Sequence, residues 1–149
     1  MSWILPPQLD NRFQGYRLVV MVFALLAAMT IGRSLFHMLA PDGGAQSVAH
    51  IPLSNFPAPA VDAVIFMFSL WGLSQPMMGL VYLIALLRYR SLIPLLLVLV
   101  FIEYAGRITI GHLRVIETTA TAPGSILDYV MVPLSLVLLF FSRPTAGKR

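Results

Sequence analysis

Four long apolar stretches alternate with short polar ones along this chain. The first covers about residues 18–39 and stops at Ala40-Pro41-Asp42-Gly43-Gly44, a cluster of helix breakers. The second covers about 61–87 and holds Pro76, which a membrane helix tolerates when its freed carbonyl finds another partner. The third covers about 92–113, with Pro94 in its first turn, where a missing N–H costs little. The fourth covers about 126–141. A bilayer core takes roughly 20 apolar residues per helix, so four spans use more than half the chain. The link at about 40–60 contains Pro52, Pro57 and Pro59, which forbid a continuous helix, and 48–53 reads as a short interfacial piece. The link at 114–125 is rich in Thr and Ala and holds Pro123-Gly124. Short links make successive helices antiparallel. The expectation is an all-α integral membrane protein: one domain over 1–149, folded as an up-down four-helix bundle.

Charge adds an orientation. Seven of the ten Lys and Arg residues flank the spans on one side: Arg12 and Arg17, then Arg88 and Arg90, then Arg143, Lys148 and Arg149. The links on the other side carry only Arg114. Under the positive-inside rule both termini are expected in the cytoplasm, with the 40–60 and 114–125 links outside. The opening segment, with Pro6, Pro7 and Asp10, makes a poor signal peptide, so the first span reads as an uncleaved anchor. Trp3, Tyr16, Tyr89 and Tyr129 read as interfacial anchors.

Composition agrees with a membrane protein: 58% hydrophobic and 11% charged residues, with a mean hydropathy of +0.85. No water-soluble domain remains. The pI near 10.0 reflects topology and attraction to anionic lipid rather than nucleic-acid binding, because no basic run has interleaved aromatics. The absence of cysteine excludes thiol chemistry and Cys-ligated metals.

Charges inside spans are the informative residues, since each is costly unless paired or wetted. Arg33 and His37 on the first span, and Glu103, Arg107 and His112 on the third, fall in the middle-to-outer part. So do Asp62 and Asp128, near the starts of the second and fourth. Residues four apart share a helix face, which groups Arg33 with His37 and Glu103 with Arg107, with Arg114 near the latter face. Asp128, Ser135 and Ser142 form a polar stripe on the fourth span. His112 lies opposite Glu103, at an interfacial position or a contact with another subunit. Gly72, Gln75 and Gly79 make a small-residue seam on the second span, with Gln75 able to hydrogen-bond across it.

Two readings of the cluster stand side by side. One is a self-neutralising ion network that locks the helices. The other is an outer cavity whose arginines hold an anionic headgroup, with Glu103 or Asp128 available for proton exchange. The candidate ligand-binding set is Arg33, His37, Asp62, Gln75, Glu103, Arg107 and Asp128. His37 and His112 have similar depths, as bis-His haem would need, but turning both inward sends Glu103 toward lipid; no cofactor is expected. Nor is there a catalytic signature or a metal-ligand set.

The layout resembles small four-helix bacterial inner-membrane proteins of the domain-of-unknown-function type. The residues concerned are the Ala40-Pro41 ending of the first helix, the stretch from Gly72 to Gly79, Arg88-Tyr89-Arg90, and Glu103, Arg107 and Gly111 on the third. The resemblance implies a bacterial inner membrane and no particular activity. The expected function is a non-catalytic binder of a lipid or lipophilic small molecule, or an accessory or assembly subunit. Its partners would be membrane lipids, with a larger complex or homo-oligomer open. The alternative is a membrane enzyme or proton-coupled transporter using Glu103 with Arg107 and Arg33.

Overall fold

The computed structural model describes residues 3–145; Lys148 and Arg149, part of the expected inner-side charge, lie outside that range. Four helices carry the fold: α1 (Arg17–Leu39), α2 (Ala58–Arg88), α3 (Ile93–Leu113) and α4 (Pro123–Phe141). Each is long and apolar enough to cross a membrane. Their boundaries match the sequence reading within three residues. α2 and α4 begin earlier than expected, because Pro59 and Pro123 sit in first helical turns, where proline is favoured. α1 ends where Ala40 turns extended before Pro41, its N–H closing on the Phe36 carbonyl.

Hydrogen bonds between the links tie the helix ends together. At one end the Ser91 N–H donates to the Asp10 carbonyl (3.2 Å), and the Tyr16 N–H to the Phe141 carbonyl (3.1 Å). At the other end the Thr119 N–H donates to the His50 carbonyl (2.9 Å). The first end therefore gathers residues 10–16, the α2–α3 turn and the end of α4. The second gathers the two longer links.

The four helices do not contact one another evenly. Close backbone approach is concentrated within two pairs, α1 with α2 and α3 with α4. Small residues explain the tighter seam. A Cβ on Gly72 would sit 2.9 Å from His37 Cβ and 3.0 Å from Met38 N, and one on Gly79 would meet the Ile31 side chain. Only glycine permits that approach. The pairs join through a common core in which Phe23, Tyr82, Leu97, Val100 and Met131 interlock. Water-driven collapse does not hold helices together in lipid, so packing of this kind must. Outward faces carry Met21, Leu25, Leu87 and Phe140, and no more than 33% of any apolar window is buried. By helix length and composition this is a small polytopic membrane protein.

The link after α1 differs from the interfacial segment expected at 48–53. Ala45, Ile51 and Leu53 are buried in a second small core, packed on Val61, Val64, Ile65 and Phe68 of α2. Glycines 43 and 44, both at positive φ, turn the chain back so that this can happen.

Candidate functional site

The charges on α1 and α3 meet through the glutamine on α2. Arg33 Nη2 donates to Gln75 Oε1 at 2.9 Å, and Gln75 Nε2 donates to Glu103 Oε1 at 3.4 Å. Arg107, one turn along α3, donates to the same oxygen from Nη2 (2.5 Å) and Nε (3.2 Å). Trp71, four residues before Gln75, lies between the two cations: its ring is 5.5 Å from Arg33 Cζ and 5.1 Å from Arg107 Cζ. Each such contact contributes about 0.5–2 kcal/mol, more as water is excluded. The result is an ordered relay, Arg33–Gln75–Glu103–Arg107, stapling three helices. Arg33 Nε is buried with no partner among the described residues. The space beside it, bounded by Thr30, Gln75, Tyr82 and Glu103, is about 10 Å³. That is room for one water and nothing larger.

Arg107 also faces a roomier place. Between α3 and α4 a cleft of about 190 Å³ is lined by Arg107, Gly111, His112, Ser125, Asp128 and Tyr129. The Tyr129 hydroxyl and His112 Nε2 share a hydrogen bond of 3.0 Å. Asp128, half-buried, accepts no hydrogen bond and forms no ion pair among the described residues. The cleft thus offers a cation on one wall and an uncommitted carboxylate on the other. Gly111 leaves it open, since a Cβ there would meet nothing within 4 Å.

The expected site residues therefore divide. Arg33, Gln75, Glu103 and Arg107 come together, and Asp128 joins them through the cleft wall. His37 is buried beside them, its ring 4.8 Å from Trp71, but its Nδ1 is engaged by the Gly43 carbonyl at 2.7 Å. A carbonyl only accepts, so Nδ1 carries the proton. Asp62 is exposed on the first turns of α2, away from the relay, and Arg114 is exposed past the end of α3. His37 and His112 sit in different helix pairs, each with its own partner. Ser135 and Ser142 are buried as the stripe predicts, yet each hydroxyl donates back to its own helix, to the Val132 and Leu139 carbonyls. Among the described residues no group of three or more His, Asp or Glu converges as metal ligands would.

Trp71 and Ser125 were not singled out from the sequence. Trp71 had a readable signal, being one helical turn before Gln75 and so on the same face. Ser125 is brought to the cleft only by the earlier start of α4. Outside the spans, Asp42 organises the link after α1. Burial pushes its carboxyl up, but hydrogen bonds from the Ser47, Gly44 and Gln46 backbone and the Ser47 hydroxyl outweigh it, leaving the pKa below the usual range.

No protein-family model matches the chain, and neither curated proteins nor solved structures give a significant match. What the chain does must be argued from its own side chains.

Proposed function

We propose that this protein is a non-catalytic lipid binder whose α3–α4 cleft takes the zwitterionic head of a phospholipid, the phosphate against Arg107 and the ammonium against Asp128. One observation carries the reading: a half-buried carboxylate without a partner shares a 190 Å³ cleft with a guanidinium. An unpaired charge at membrane depth is costly and persists where something occupies it. The exposed Ile110, Tyr129 and Val130 beside the cleft suit the acyl chains.

Arg12, Arg17, Arg88, Arg90 and Arg143 gather at the end away from the cleft, and on the positive-inside rule that arrangement supports reading the cleft as an outer-leaflet feature. The rival, an enzyme or proton-coupled transporter worked by Glu103 with Arg107 and Arg33, has less support. Glu103 is held by both Arg107 and Gln75, and the space at Arg33 admits a single water.

Native mass spectrometry on protein drawn gently from its own membranes tests this. One retained phospholipid, lost in Arg107→Gln and in Asp128→Asn, is the expected result. An adduct unchanged in both variants would remove the cleft from consideration. Other polypeptides at fixed stoichiometry, with no retained lipid, would replace lipid binding with an accessory-subunit role.

A further inference from the structure

A cavity larger than the α3–α4 cleft is at the opposite end of the molecule, and none of the candidate site residues lines it. Residues 3–16 form no helix; they cross the end of the bundle as an arch. One foot is at the α2–α3 turn, where the Asp10 N–H donates to Ser91 Oγ (3.0 Å), and the Ser91 N–H and hydroxyl donate to the Asp10 carbonyl (3.2 and 2.9 Å). The other foot is at the end of α4, where the Tyr16 N–H reaches the Phe141 carbonyl and the Thr145 N–H the Gln14 carbonyl. Gly15 makes that foot fit: a Cβ would lie 2.7 Å from Ser142 Cα and from the Phe141 oxygen. Under the arch is a space of about 390 Å³. That is within the size of ordinary small-molecule sites, roughly 300–1,000 Å³.

Its walls are of two kinds. Phe13, Pro94 and Trp3 supply apolar surface, while Arg12, Gln14 and Ser91 supply polar groups. Arg12 is the only cation on the wall, and it has no ion pair among the described residues. Asp10 is also on the wall, with Oδ1 accepting the Arg12 backbone N–H at 3.1 Å. Around it this end carries Arg17, Arg88, Arg90 and Arg143, with Asp10 as the sole acid near them. Leu5 and Leu9 of the arch are 64% and 55% exposed, where apolar side chains can enter a bilayer surface.

We infer that the arch is a clasp for an anionic phospholipid, its phosphate held by Arg12 and its glycerol lying on Phe13 and Pro94. The inference is independent of the cleft, using other residues at the other end. A lipid rather than a free anion is indicated by the leucines outside and the apolar wall within.

The test titrates phosphatidylglycerol into the detergent-solubilised full chain and counts bound lipid by native mass spectrometry. Arg12→Gln is expected to weaken binding by about tenfold or more, the loss of a specific charge-assisted hydrogen bond to the phosphate. Arg12→Lys should restore much of it. Arg88→Gln, at the same end but off the cavity wall, should leave it unchanged. The Arg12 side chain is exposed, so the variants should fold, which circular dichroism checks. Equal weakening by Arg12→Gln and Arg88→Gln would mean diffuse surface charge and overturn the clasp. Displacement of the lipid by inorganic phosphate alone would overturn the lipid as occupant.

Discussion

The α1–α2 seam makes Gly72→Ala the most quantitative perturbation. The added methyl would lie 2.9 Å from His37 Cβ and 3.0 Å from both His37 C and Met38 N. Two of those three atoms are backbone, so no rotamer change relieves the clash. Carbon atoms pack best at about 3.5–4.0 Å, so α1 must retreat by roughly 0.5–1 Å along the seam, forfeiting a quarter to a half of each contact there. Overpacking of this kind costs about 1–3 kcal/mol. Against it stands a helix-propensity gain of up to about 1 kcal/mol for replacing glycine by alanine. Gly106→Ala isolates that gain, because nothing lies within 4 Å of the position a Cβ would occupy. The measured quantity is unfolding free energy in mixed nonionic-detergent and dodecyl sulfate micelles. Gly72→Ala should fall about 1–3 kcal/mol below Gly106→Ala. Gly79→Ala should also fall below Gly106→Ala, since its Cβ would lie 2.6 Å from Cγ1 of the β-branched, χ1-restricted Ile31, although the nearest backbone atom is 3.7 Å away. Equal stability of the Gly72 and Gly106 variants would refute the close seam.

Further expectations follow from the relay and the links. Glu103→Gln leaves Arg107 without its ionic partner and should cost about 1–3 kcal/mol, less than a fully buried pair because the side chains are 21% and 31% exposed. A double-mutant cycle with Arg107→Gln measures the coupling, and zero coupling would deny the pair any role. Asp42 has a lowered pKa in the folded link, so its stabilisation is complete above the unfolded carboxylate value, about 3.9, and lost as pH falls through the lower folded value. Hydrogen-exchange protection of the Gly44, Gln46 and Ser47 amides, corrected for intrinsic rate, should persist at about pH 4 and be lost only as the pH falls further, through the lowered folded value; loss above about pH 4 would contradict the assignment. His50 has φ of 58°, which a β-branched residue adopts at a cost of about 1–3 kcal/mol. His50→Val should therefore lower thermal stability while His50→Gly does not.

Much of the fold was legible because its signals are local. Apolar length, breaker clusters and prolines at first turns mark each helix, and Gly72 with Gly79 announced the tight seam. The pairing of helices was not legible, because it depends on which bulky side chains hold the two pairs apart. At the site, the four-residue spacing of Glu103 and Arg107 predicted their contact directly. That Gln75 would bridge from α1 to α3 could not be read, since it needs three helices in register. Nor could the separation of roles: depth along the spans groups Arg33 with Arg107, whereas packing leaves one beside space for a single water and the other beside a cleft. The arch was hidden because prolines and mixed polarity look the same whether a segment lies free or crosses a cavity.

A lipid head between α3 and α4 is tested most directly by a through-space nuclear magnetic resonance contact in bilayers of ¹⁵N-ethanolamine phospholipid. The protein would carry ¹³C-labelled aspartate carboxyls. The prediction is a carboxyl-to-ammonium contact in the wild-type protein that disappears in Asp128→Asn and persists in Asp62→Asn. No contact in the wild type, or one that survives Asp128→Asn, would contradict it.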